Sequence, residues 1–385
     1  MVRVAVTGIG VVSPIGVGDT AFFDALAAGA SGLRPDDRAG SSTIRTARVG
    51  DFGARDLIAP AQIRRMPRLS QMIIVAAKQA LAAAALPYDA SRIGAVLGTG
   101  LGTLNETLAF MDGYLKGGPE NASPLLFPSS VMNAAAGQLS LECRLKGPNS
   151  TVNHKDASSL QAIGLGCDLL ELGRADAILV GGMDELSTSA FEFFRRFLNV
   201  ETRALRPYDS ARDGVELGEG AALILLEREE DARARGATIR AIVAGRGERS
   251  GSRPRVGWGH ERFSPDAISS ARGESDVDCV CGAGNGTAYD QRELDALSEA
   301  FPRCPPVSSI LGQVGESHSS TMMRVLAGIF ALERQTILGT VGLSHPIARY
   351  ADVLVGSSRA ARVRSVLVPT FSQGGSDVAV RLERA

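Results

Sequence analysis

The stretch 157–172 most constrains the fold. Leu160, Ile163, Cys167 and Leu170 fall on one helical stripe, and Leu165, Leu169 and Leu172 fall on others. A helix that is apolar on most sides belongs inside a protein. Its cover is also legible. Apolar runs at 4–7, 93–97, 177–180, 222–227 and 239–243 read as strands without polar alternation, the pattern of a sheet covered on both faces. Helical patterns at 71–85 (Ile73, Ile74, Ala77, Leu81), 291–300 and 321–333 (Met322, Leu326, Ile329) alternate with them. A strand at 277–281 and a terminal hairpin, 365–371 with 378–382, complete a layered α/β pattern. No internal sequence repeat is visible, although the two halves share a strand–helix rhythm.

At 385 residues, 44% apolar and 22% charged, the chain can bury a large core. A net charge of −1 gives no drive toward nucleic acid or an acidic membrane. No apolar run reaches membrane-spanning length. The first strand begins at Val4 with no leader-like layout before it, so a cytoplasmic location is expected. The five cysteines (Cys143, Cys167, Cys279, Cys281, Cys304) lack framework spacing and read as reduced thiols. Cys279-x-Cys281 reads as one face of a strand, so no metal and no cofactor are expected. The glycines in 8–16 follow a strand, but a proline stands where a phosphate-binding helix would begin, which argues against a dinucleotide site. The Arg/Gly/Ser-rich stretch 245–265, with Trp258, reads as a long surface loop dividing the chain into 1–244 and 245–385.

Several ordered segments carry a resemblance. They are VAVTGIGVVSPIG near the start, SPLLFPSSVMNAAAGQLS (123–140), GPNSTVNHKDASS (147–159), ADAILVGGMDE (175–185) and, most specific, LRPYDSARDGVELGEGAALILLE (205–227). Together they resemble the β-ketoacyl synthases of the thiolase superfamily over nearly the whole length. The resemblance implies a five-layered αβαβα fold of two related halves, dimeric, with acyl sites near the dimer interface.

Active members of that family carry a reactive cysteine and two histidines. Asp156 holds the cysteine's place. Ala283, or Gly282 in the alternative match, stands for the first histidine; Ser308 and Gln313 stand for the supporting lysine and the second histidine. Gln373 replaces the gating phenylalanine. A thiolate attacks a thioester and holds the acyl group at similar free energy, whereas a carboxylate would have to form an anhydride. Asp156 is also suited to begin a helix, so the residue reads first as a helix cap in a silent site.

The pattern resembles the cysteine-less β-subunit, or chain-length factor, of type II polyketide synthases, although those subunits more often carry an amide at this position. Its implied partners are a cysteine-bearing ketosynthase, in a heterodimer, and an acyl carrier protein. Leu125, Phe127, Val131 and Met132 are placed by the resemblance at the subunit interface and acyl tunnel. Arg64, Arg65 and Arg68 form a basic cluster that either meets the carrier protein or is simply solvated. Two rival readings remain. One is a homodimeric acyltransferase with chemistry rebuilt around Asp156, His154 or His318. The other is a scaffold that binds carrier proteins. His318 has no carboxylate near it in sequence and reads as a histidine without catalytic duty.

Overall fold

The computed structural model describes residues 2–36, 44–196, 198–200, 202, 204–251 and 262–385. Ten strands carry the architecture: β1 (Val4–Ser13), β2 (Ile93–Gly98), β3 (Asn149–Val152), β4 (Ala177–Asp184), β5 (Gly220–Arg228), β6 (Ala241–Ser250), β7 (Cys279–Cys281), β8 (Val307–Ser308), β9 (Ser365–Phe371) and β10 (Ser376–Glu383). The helices used below are α1 (Asp19–Ala27), α2 (Arg68–Ala84), α3 (Leu104–Gly117), α4 (Ala134–Glu142), α5 (Ser158–Glu171), α6 (Thr188–Phe194), α7 (Asp266–Arg272), α8 (Tyr289–Ala300) and α9 (Ser320–Arg334).

The strands run β8-β7-β9-β10-β6-β1-β5-β4-β2-β3. Two sets of five repeat one pattern. In each, the first strand pairs antiparallel with the fifth, the fifth antiparallel with the fourth, the fourth parallel with the second, and the second parallel with the third. The sets meet where β1 and β6 pair antiparallel, Val4 opposite Val243 and Val6 opposite Ala241.

Alternation along the strands sorts the core into layers. Ile178, Val180, Ile224 and Leu226 face inward on α5 and α9, as do Val366, Val368, Val380 and Leu382 from the second set. Ala177, Leu179, Leu223 and Leu225 face the other way, onto α2 and α4. Leu367, Ala379 and Val280 face α7 and α8. The result is helices, sheet, helices, sheet, helices: the five layers the resemblance implies. Cys279 and Cys281 share one face of β7, as their spacing predicts.

Three sequence expectations change. β1 does not stop at Thr7 but runs on to Ser13, because Gly8 and Gly10 lie flat against α2. A Cβ at Gly10 would fall 1.8 Å from the Ala76 carbonyl oxygen. Residues 245–250 are not loop but the second half of β6, where a Cβ at Gly245 or Gly247 would fall 2.0 Å from the Ala271 or Ala267 carbonyl oxygen of α7. The cut at 244/245 therefore falls inside a strand; Trp258 lies outside the described residues. Finally, α5 is not covered on every side in the single chain. Its stripe of Leu160, Ile163, Cys167 and Leu170 is buried, but Leu165 is exposed and Leu172 is 71% exposed.

The contact of β1 with α2 sets a test. Gly10→Val forces the strand and helix apart and is expected to lower unfolding free energy by about 3 kcal/mol or more. Gly50→Ala, where no atom lies within 4 Å of the added Cβ, is expected to change little. Denaturant titration of both variants checks this.

Candidate functional site

The edge strand β3 leads into a tight turn before α5. Lys155 adopts a left-handed conformation (φ +52°), uncommon for a residue with a Cβ, and this turns the next side chain inward. That side chain is Asp156, only 7% exposed. It does not cap α5, whose N-cap is Ala157 with no side-chain bond. The turn is tied by Ser158, whose hydroxyl accepts from the His154 N–H at 2.8 Å. The carboxylate points the other way: Asp156 Oδ1 lies 2.7 Å from His318 Nδ1. The Asp156 carbonyl also accepts from Thr321 Oγ1 at 3.0 Å. His318 thus has a carboxylate partner, supplied from 162 residues away.

His318 precedes α9, and its ring lies against the backbone at Gly100, where a Cβ would fall 1.8 Å from Cδ2. Only glycine fits there. Two further acids surround the ring. Asp184, at the end of β4, accepts from Thr99 Oγ1 (3.0 Å) and from the Gly100 and Leu101 N–H groups (3.1 and 3.0 Å), which pins the loop after β2. Glu316 stands two residues before His318. Burial opposes the imidazolium, but Asp156 outweighs it, with Asp184 and Glu316 adding, and the His318 pKa is pushed up to about 9. Burial likewise opposes the Asp156 carboxylate, yet His318 holds its pKa below the usual range. Burial, helped by Asp156, raises Glu316 to about 8, while Arg324 and His318 pull it back. The site at neutral pH is a buried imidazolium–carboxylate pair beside a largely protonated Glu316. An imidazole already carrying its proton is a poor general base.

These groups border a small cavity of about 30 Å³, room for a single water. Leu101, Leu186, Ala190, Phe194, Leu198 and Leu217 form its apolar walls, and Gln373 also lines it. The Phe194 ring lies 6.1 Å, centre to centre, from that of His318. None of the five cysteines borders it.

The remaining expected site residues divide. Gln313 is buried, but its amide donates to the carbonyls of Ala25, Leu26 and Ala30 around the end of α1, away from the cavity. Glu316, three residues on, borders the cavity instead. Ser308 is buried in β8, paired with Cys281. Ala283 donates its N–H to Glu293 Oε1 (2.8 Å) and packs in the outer core, off the cavity wall. His154 is exposed, its ring nitrogen bonded to Gln161, and does not meet the Asp156 carboxylate. Leu125 (87%) and Phe127 (58%) are strongly exposed, and Val131 and Met132 are exposed as well. Arg64 and Arg65 are exposed, but Arg68 is committed to Glu219 (3.0 Å) and the Val49 carbonyl (2.7 Å). Glu316 and Asp184 were missed. Asp184 sat in a segment quoted for its resemblance, and the run Gly315–His318 carried the only acid–histidine doublet close to α9.

The sign of the pH effect follows. His318 has a raised folded pKa, so its contribution is complete below about 6.5 and lost as pH rises through about 9. Asp156, lowered, contributes fully above its unfolded value near 4 and loses that only in acid. Glu316, raised, also favours the fold at lower pH. Between pH 6.5 and 9 the wild type is expected to lose on the order of 3 kcal/mol from His318. His318→Gln, less stable at pH 6, is expected to show a flatter decline over that window. Denaturant midpoints at stepped pH check both.

The β-ketoacyl synthase N-terminal domain matches residues 1–232. A 3-oxoacyl-(acyl-carrier-protein) synthase 2 from Coxiella burnetii is 30% identical over 407 aligned positions, covering 99% of this chain and 98% of the relative. Among solved structures, the ishigamide ketosynthase/chain length factor superposes with a TM-score of 0.90 at 26% identity, covering 100% of this chain and 99% of that one. A β-ketoacyl synthase from Burkholderia phymatum gives 0.89 at 27% identity, with full coverage of both chains. With this match along the chain and the layered fold described above, the protein belongs to the β-ketoacyl synthase family of the thiolase superfamily.

Proposed function

We propose that this chain is a non-condensing ketosynthase-like subunit, a chain-length factor. It would pair with a cysteine-bearing ketosynthase in type II polyketide or specialised fatty acyl synthesis. The observation that carries this reading is the Asp156–His318 pair. The turn that would present a nucleophile presents a carboxylate, already paired with the His318 imidazole. No thiol borders the cavity. The likeness to a ketosynthase/chain length factor supports the same reading.

Exposed apolar residues supply the partner surface. Leu125, Phe127, Val131 and Met132 join Leu108, Met111 and Leu115 of α3, with Phe110 and Phe127 in ring contact at 5.5 Å. Apolar side chains exposed in this number fit a face that another subunit covers. In this reading they also wall the partner's acyl tunnel. The relative's name includes an acyl carrier protein, and Arg64 and Arg65 offer exposed positive charge for an acidic carrier; Arg68 does not. The repeated strand order further supports two duplicated halves, with the division ahead of β6 rather than at 244/245.

Against the alternative of rebuilt acyl transfer around Asp156, His154 or His318, His154 bonds Gln161 rather than the carboxylate, and His318, which does meet Asp156, has its pKa raised to about 9 and so already holds its proton. The test is reconstitution with acyl- and malonyl-carrier proteins. The lone chain is expected to form no condensation product, and the chain co-expressed with its ketosynthase is expected to form one. Leu125→Asp with Phe127→Asp is expected to weaken co-purification at least tenfold, a loss of about 1.4 kcal/mol or more. Phe127→Ala alone is expected to keep the complex and lengthen the product. Condensation by the lone chain would overturn the reading.

A further inference from the structure

Two kinds of group converge on the Asp156 carboxylate. His318 Nδ1 lies 2.7 Å from Oδ1. The backbone N–H groups of Asp156 itself and of Gln373 face the carboxylate and favour its charged form. Among the described residues bordering the cavity, His318 is the only base; Asp184, Glu185 and Glu316 are the other ionisable groups. His318 Nδ1 is hydrogen-bonded to Asp156, whereas Asp184 is engaged by the Thr99 hydroxyl and the Gly100 and Leu101 N–H groups.

We propose that this is a carboxylate-binding hole occupied by the protein's own side chain. Asp156 acts as an internal ligand, and a chain that lacks its side chain takes a free small monocarboxylate in the same place. The ligand class follows from the atoms removed. Asp156→Ala keeps Cβ and deletes a carboxylate the size of formate. Asp156→Gly deletes a methylene and a carboxylate, the heavy atoms of acetate. Either deletion leaves the buried imidazolium without its hydrogen-bonded partner, a costly state that an anion of matching size relieves. The walls beside the ring (Gly100 against it, Phe194 beyond it) and a volume of about 30 Å³ favour a small anion over a larger one. In the wild type the hole is filled, so it accepts neither an acyl carbonyl nor a second carboxylate. This deepens the proposed function and rests on the same site. The two fail separately, because this one is read as stability and the other as product.

The experiment uses the full chain. Thermal unfolding of wild type, Asp156→Ala and Asp156→Gly is followed in sodium formate, acetate, propionate and chloride at one ionic strength. Formate is expected to raise the midpoint of the Ala variant by several degrees, and acetate that of the Gly variant. Chloride and propionate are expected to do little, and wild type to respond to none. Adding His318→Gln is expected to abolish the rescue. Equal response to chloride, equal response by wild type, or the same order of anions for both variants would overturn the proposal. Should neither variant fold, Asp156→Asn keeps the shape. In it, NMR titration of His318, one of four histidines in the chain, is expected to show at least a tenfold loss of proton affinity. An unchanged titration would equally sink the idea.

Discussion

A buried ion pair between Asp156 and His318 joins the two halves of this protein at their chemical centre. Asp156 comes from the turn that opens α5, and His318 from the loop that opens α9, the two helices of the middle layer. Burying either charge alone would cost several kcal/mol, and each is stabilised mainly by the other. The surroundings are arranged around that pair. Gly100 lets the imidazole lie on the backbone, Asp184 pins the loop that carries Gly100, and Thr321 on α9 holds the Asp156 carbonyl. At the turn where the family resemblance leads one to expect a reactive group, this chain holds a fixed electrostatic joint.

The layers that position this joint depend on how closely helices approach sheets. Gly8 and Gly10 on β1 lie under Ala80 and Ala76 of α2; Gly245 and Gly247 on β6 lie under Ala271 and Ala267 of α7. β1 and β6 are the first strands of the two five-strand sets. The same Gly-x-Gly solution recurs at equivalent places, although the surrounding sequence has diverged beyond recognition. The repeat is therefore carried by backbone contact, where no other residue fits, rather than by side-chain identity. That is also why 245–250 read as loop: glycine and arginine alternate there because one face touches a helix backbone, while Arg246 on the other reaches Gly164 and Asp168 of α5.

Much of the architecture was legible. Strands without polar alternation at 93–97, 177–180 and 222–227 announced sheets covered on both faces, and the segments around them carried the family. The position of Asp156 was also readable, because the turn's glycine, proline and serines frame it. Three things were not. His318 found its partner across 162 residues. Gln313 took a place in the expected alignment that its side chain does not hold, since a short helical turn over Leu311–Val314 swings it toward α1. Arg68 looked like surface charge until the fold brought Glu219 beside it.

The sequence by itself determined the layered α/β class and that the residue in the turn before α5 is a carboxylate and not a thiol, because these depend on local pattern and on which atoms a side chain owns. Only the tertiary structure decided what Asp156 does. A carboxylate at a helix start can cap, ionise alone or pair, and the choice belongs to whatever charge the rest of the chain folds against it.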